Sequence, residues 1–136
     1  MISERAGNYL VKLAKDTIKY YLDNEKIMVK PTDYPIELDE ELGVFVTLNK
    51  NHNLRGCIGY AEPIKPAIDA TMEVALSAAF NDPRFNEVTE KEFDDLDFEV
   101  TVLTKPEVIE VSHYDQYFDE IEIGRDGLII QKGYAK

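Results

Sequence analysis

The chain has 136 residues, 44% of them apolar and 31% charged, with a formal net charge of −12 and a single cysteine. That length suits one globular domain, residues 1–136, burying roughly 70% of its unfolded surface. One cysteine excludes an internal disulfide and an all-cysteine zinc site, and no apolar run approaches the roughly 20 residues that span a bilayer.

The N-terminus, Met1-Ile2-Ser3-Glu4-Arg5, leads into an amphipathic pattern and not a signal peptide, so a reducing, cytoplasmic setting is expected. Residues 1–61 carry 9 acidic and 8 basic side chains and residues 62–136 carry 18 and 7, so the negative charge is concentrated in the second part. Binding that relies on neutralising phosphates needs the opposite sign, and nucleic acid is disfavoured.

Ser3 has the form of an N-cap, and Ala6, Tyr9, Leu10, Leu13, Ala14, Thr17 and Tyr21 follow at helical spacing as one apolar stripe. Lys12, Lys15, Asp16 and Lys19 fall on the wetter side, and Asp23-Asn24 marks the stop. Residues 25–42, with Pro31 and Pro35, predict a surface loop. Leu42–Leu48 and Leu54–Tyr60 then predict an antiparallel hairpin around the polar turn Lys50-Asn51-His52-Asn53. After Pro63 and Pro66, Ile68, Met72, Ala75, Leu76 and Ala79 repeat as a helix, with Ala70, Ser77 and Ala78 small enough for close packing on a sheet. Asn81-Asp82-Pro83 ends it, because the residue before proline avoids the helical region.

Thr89 with Glu92 forms a capping-box pattern. Glu90, Glu92, Asp94, Asp95 and Asp97 read as the solvated side of a short helix in preference to a metal cluster. Phe98–Leu103 alternates as a strand, with Phe98, Val100 and Val102 on one face. A short edge strand at Val108–Val111, a helix at Tyr114–Phe118 and a hairpin of Ile121–Ile123 with Leu128–Lys132 around Asp126-Gly127 complete the prediction. The class is α+β: a mixed, largely antiparallel sheet with packed helices. Leu128–Lys132 needs neighbours, yet little chain follows, which predicts an incomplete domain, a homo-oligomer that completes the sheet, or an edge strand.

The stretch Leu54-Arg55-Gly56-Cys57-Ile58-Gly59-Tyr60 concentrates unusual residues. Strand alternation puts Arg55, Cys57 and Gly59 on one face and Leu54, Gly56, Ile58 and Tyr60 on the other, buried or packed. A guanidinium two residues from a thiol on one face can stabilise the thiolate, making Cys57 a candidate nucleophile. Gly59 would leave a gap beside the sulfur, and Gly56 would admit close approach of other backbone. Pure packing is an equally physical account, since free cysteine behaves as a small hydrophobe and strand glycines mark tight contacts. His52 and His113 are the only histidines. Neither is placed by spacing as a base, and no ligand spacing supports a metal. In Asn81-Asp82-Pro83-Arg84-Phe85, the polar residues can line a cleft; alternatively Arg84 pairs with a carboxylate and Phe85 plugs the core.

Leu54-Arg55-Gly56-Cys57-Ile58-Gly59 resembles the hallmark of the AMMECR domain family. Gly43–Leu48 precedes it in the same order. Ala79-Phe80-Asn81-Asp82-Pro83-Arg84-Phe85, Glu99–Leu103 and Glu122–Ile130 follow, so the likeness covers nearly the whole chain. The resemblance implies an intracellular α+β domain with two subdomains around a cleft and a suspected site at Leu54–Gly59. Arg55, Gly56, Gly59, Asp82 and Arg84 would be binding residues and Cys57 the candidate nucleophile. It implies no established reaction or cofactor. It also implies association with Memo-type proteins and a C-terminal segment beyond Lys136 that is absent here. Two expectations follow: a small-molecule cleft taking an anionic ligand, or a non-catalytic interaction module using an acidic surface or open sheet edge.

Overall fold

The computed structural model describes residues 2–103 with their side chains and residues 128–134 by the course of their backbone. The first helix, α1 (Glu4–Asn24), starts where Ser3 Oγ accepts the Ala6 N–H at 3.1 Å. It stops at Glu25, whose φ of 56° turns the chain out while its N–H still donates to the Tyr21 carbonyl at 2.8 Å. Its buried face is wider than the expected stripe, because Val11 and Ile18 join Leu10, Leu13, Ala14 and Thr17. The reason is that α1 meets the second helix on one flank and the sheet on the other.

The connection that follows contains a one-turn 3-10 helix, Ile36–Asp39, which plugs Leu38 fully into the core. Strands β1 (Gly43–Lys50) and β2 (Asn53–Tyr60) form the expected hairpin. Asn51 and His52 both have positive φ, 50° and 68°, the two-residue turn whose twist matches that of paired strands. Helix α2 (Ala67–Phe80) begins directly after Pro66 and ends at Asn81, whose N–H donates to Ser77. The Thr89–Glu92 capping box is present, but the helix it opens is 3-10 (Glu90–Asp95). Strand β3 (Leu96–Leu103) alternates buried and half-buried residues along its whole length, and β4 (Leu128–Tyr134) lies antiparallel beside it.

The sheet order is β2-β1-β3-β4 with every neighbouring pair antiparallel, giving an α+β fold. Val44, Val46, Leu48, Phe98, Val100 and Val102 are buried on the helix-covered face. Each such side chain contributes about 1.5–3 kcal/mol by leaving water. Phe45, Thr47, Glu99 and Thr101, on the second face, are half-buried.

One irregularity matters for the site. Leu48 pairs with Gly56 but Asn49 pairs with Leu54, so Arg55 is an extra residue, a β-bulge in β2. The bulge shifts Leu54 out of the core-facing register, and this leucine, expected to be packed, is 42% exposed. The edge strand at Val108–Val111, the helix at Tyr114–Phe118, and the Ile121–Ile123 strand with its turn lie outside the described residues, as does His113.

Candidate functional site

Strand β2 lies at a sheet edge, so one row of its backbone groups has no strand partner. At Cys57 the loop after α2 supplies one. The Cys57 N–H donates to Asp82 Oδ2 at 3.0 Å, and the Cys57 carbonyl accepts from Arg84 Nη2 at 3.2 Å. Asp82 and Arg84 are themselves locked together. Arg84 Nε donates to Oδ1 at 3.0 Å, Nη2 to Oδ2 at 2.7 Å, and the Arg84 backbone N–H to Oδ1 at 3.0 Å. Pro83 keeps the chain from continuing α2, which frees Asp82 to turn towards the strand.

Asp82 is only 4% exposed, and such a burial without partners would be costly. The Arg84 guanidinium holds its carboxyl well below the usual carboxylate range, against burial and with help from the Cys57 and Arg84 N–H groups. The expectation that Arg84 pairs with a carboxylate is met. Phe85 does not plug the core: it is half-buried, and the Arg84 guanidinium lies 5.3 Å from its ring centroid. Val88 takes the core position instead.

Arg55 is held in a parallel way. Its Nε donates to Glu92 Oε1 at 2.9 Å and its Nη2 to Glu92 Oε2 at 3.0 Å, with a further bond from Nη2 to the Glu87 carbonyl at 3.2 Å. Lys50 Nζ reaches the same Glu92 at 3.3 Å. The side chains of Arg55 and Glu92 are 15% and 11% exposed. Glu92 is therefore not part of a solvated acidic face, as the sequence suggested. Burial pushes its carboxyl up, but the hydrogen bonds from Arg55 and the Thr89 N–H, together with the Arg55 charge and Lys50, outweigh that and hold it at about 2.

One donor is left over. Arg55 Nη1 is shut off from solvent and has no hydrogen-bond partner. An orphaned buried donor costs about 1–3 kcal/mol, so its presence calls for an explanation.

A notch of about 370 Å³ opens between these two guanidinium groups, lined by Arg55, Pro83, Arg84, Phe85 and Asn86. Two of the expected binding residues, Arg55 and Arg84, meet there. Asp82 stands behind Arg84. Gly56 and Gly59 do not line it. A Cβ on Gly56 would lie 2.3 Å from the Ala78 carbonyl oxygen, so this glycine lets β2 approach α2. A Cβ on Gly59 would lie 2.2 Å from the Val44 carbonyl oxygen and 2.7 Å from Phe45 Cγ. The gap expected beside the sulfur is thus filled by Phe45.

Nor do Arg55 and Cys57 act together as their spacing implied. The bulge sends the Arg55 guanidinium to Glu92 and Glu87. The Cys57 sulfur lies 3.2 Å from Thr47 Oγ1, its cross-strand neighbour. The guanidinium attached to Cys57 is that of Arg84, and it is attached through the backbone. Thr47 and Glu92 were the partners sequence reading missed. Hairpin register could have found Thr47; Glu92 carried only its capping signal. His52 sits in the hairpin turn. Among the described residues no group of three or more His, Cys, Asp or Glu side chains is placed to hold a metal, and no helix is long and apolar enough to cross a membrane.

A larger groove of about 480 Å³ lies along the other side of α2, between Met28, Lys30, Lys65, Met72 and Glu73. None of the hallmark residues lines it.

The AMMECR1 family model matches residues 11–136. A protein of Methanothermobacter thermautotrophicus is 49% identical over 135 residues, covering 99% of this chain and 70% of that protein. A protein of Methanocaldococcus jannaschii is 44% identical over 138 residues, covering 100% of this chain and 68% of its own length. The crystal structure of the uncharacterized protein PH0010 from Pyrococcus horikoshii is similar with a TM-score of 0.75 and 46% identity. The match covers 81% of this chain and 57% of that one.

Proposed function

The chain belongs to the AMMECR1 family, and from that premise we propose that the notch between β2 and the loop after α2 binds a small anionic molecule. The observation that carries this reading is that two guanidinium groups line one notch, each gripped along one edge by its own carboxylate. Such gripping fixes the orientation of a side chain that otherwise loses much rotamer freedom on binding. It also leaves Nη1 of each guanidinium uncommitted to a carboxylate. The site is not a strongly positive patch, since Glu92 and Asp82 offset the two arginines, and Lys50 pairs with the same Glu92.

Cys57 belongs to this reading through its main chain. A ligand that draws Arg84 outward disturbs the bond to the Cys57 carbonyl and, through it, the setting of the sulfur. That coupling is conformational, because Cys57 itself does not line the notch. The reading is tested by thermal unfolding of the wild type and Arg84→Gln with chloride, acetate, succinate, sulfate and phosphate at matched ionic strength. At least one multivalent anion is expected to stabilise the wild type beyond chloride, with that excess lost in the variant. Equal effects of all anions would sink the reading.

A second reading, a protein-interaction module, draws on exposed Ile27, which lines the groove along α2, and on exposed Val29 and Ile64, neighbours in sequence of the lining residues Lys30 and Lys65. Apolar residues exposed at a groove are a feature of docking surfaces. The β2 edge is less suited to that role at Cys57, because Asp82 and Arg84 already take its backbone groups. Sedimentation of the wild type and Val29→Ser tests self-association; identical monomers at all concentrations count against a homo-oligomer.

A further inference from the structure

Resting on the reading of the notch as an anion site, we infer that the group it takes is a phosphoryl group, free or at the end of a small monoester. The argument is one of donor geometry. Arg55 commits Nε and Nη2 to Glu92, and Arg84 commits Nε and Nη2 to Asp82. That side-on edge is the one a carboxylate matches with two parallel bonds, and at both arginines a carboxylate of the protein already fills it. What remains uncommitted is an Nη1 group on each guanidinium, that of Arg84 on a half-exposed side chain lining the notch and that of Arg55 shut off from solvent, while Asn86 also lines the notch.

These donors come from separate chain segments, β2 and the loop after α2, so they do not form a single planar fork. A carboxylate has two oxygens in one plane and satisfies one fork well. A phosphoryl group has three terminal oxygens pointing apart and carries more charge, about −1.5 to −2 at neutral pH. It can accept from several walls at once and compete with Asp82 and Glu92 for the arginines.

Size agrees with this. About 370 Å³ lies at the lower end of ligand-pocket volumes, roughly 300–1,000 Å³, and exceeds what an oxyanion alone would fill. Pro83 and Phe85 give the remaining space an apolar wall for a short organic remainder. Arg55 Nη1 is shut off from solvent, whereas the Arg84 side chain, which also lines the notch, is 54% exposed. A ligand oxygen reaching Nη1 would give that donor the acceptor it lacks.

The test is an NMR titration of backbone amides with inorganic phosphate, phenyl phosphate, acetate and succinate at constant ionic strength. It uses the wild type, Arg84→Gln and Asn86→Ala. Saturable shifts at residues 82–88 are expected with phosphate and phenyl phosphate. Tighter binding of phenyl phosphate would identify a monoester as the source, and equal or weaker binding would identify free phosphate. Arg84→Gln is expected to weaken binding by about tenfold or more, as for loss of one charge-assisted hydrogen bond. Asn86→Ala, at an exposed position of the lining, is expected to weaken it several-fold without unfolding the loop. Saturation by acetate or succinate but not by phosphate would overturn the phosphoryl assignment and leave the anion site standing. Absence of saturation by any of the four would overturn both. Phosphate binding unchanged in both variants would place the ligand elsewhere and overturn the assignment.

Discussion

Asp82 takes up the backbone N–H of Cys57 across 25 positions of sequence, at 3.0 Å, in the place where a neighbouring strand would otherwise accept it. Arg84 completes the imitation by donating to the Cys57 carbonyl at 3.2 Å. The sheet edge is thereby closed at the hallmark stretch by two side chains, one of which, Arg84, also lines the notch.

Removing that acceptor is expected to be expensive. Asp82→Ala strands the Cys57 N–H and frees the Arg84 guanidinium, for a loss of about 2–4 kcal/mol. Asp82→Asn keeps one carbonyl oxygen for the N–H but loses the charge pairing, and an intermediate loss is expected. Urea denaturation of both variants checks the order. Equal stability of Asp82→Ala and wild type would mean that the clasp contributes nothing.

Glu92 gives the fold an acid-sensitive element. Its carboxyl is held at about 2 in the folded protein against an ordinary 4.5. A depressed carboxylate stabilises the folded state fully above the unfolded value, and that stabilisation falls as pH drops through 4.5 towards 2. The span corresponds to about 3 kcal/mol at most. Thermal or urea unfolding is therefore expected to weaken over that window in the wild type. Glu92→Gln should be less stable at neutral pH and flatter below it. Parallel curves for the two proteins would remove Glu92 from the account.

Gly56 tests the contact between β2 and α2. In Gly56→Ala the added carbon meets the Ala78 carbonyl oxygen, a backbone atom that no rotamer change can move aside. Overpacking of this kind costs about 1–3 kcal/mol. Trimming the helix side chain with Ala78→Gly should fail to rescue it, because the obstacle is main chain. Rescue in a denaturation series would show that the close approach is made by side chains.

Leu54 tests the bulge. With Arg55 as the extra residue, Leu54 stands outside the core register and is exposed. Leu54→Ser is expected to change stability by less than about 0.5 kcal/mol, as for surface positions generally. Ile58 pairs with the core residue Val46 and packs against the core. Ile58→Ala is expected to cost about 1–3 kcal/mol. A large loss at Leu54 would mean that β2 keeps an unbroken register.

Much of the fold was legible because local rules agreed with one another. Ser3 capped the first helix, Pro66 opened the second, Asn51-His52 turned the hairpin, and Phe98, Val100 and Val102 alternated into the core. The site was legible only as a set of residues. Strict alternation placed Arg55 beside Cys57, but a bulge adds one residue without leaving any mark in composition, and it separated them. Glu92 looked like a solvated cap because a capping-box carboxylate and a buried ion-pair carboxylate have the same sequence signature. The clasp of Asp82 and Arg84 on Cys57 depends on how a loop folds back onto a distant edge, which no local spacing encodes.

The central claim is that a small anion enters between Arg55 and Arg84. The most direct measurement is the map of backbone amide shifts produced by saturating phosphate on the wild-type protein. The account expects the changes to centre on residues 82–88 together with Arg55 and the Cys57 amide that Asp82 holds. Shifts centred on Lys30, Lys65 and the groove along α2, with residues 82–88 unmoved, would contradict it.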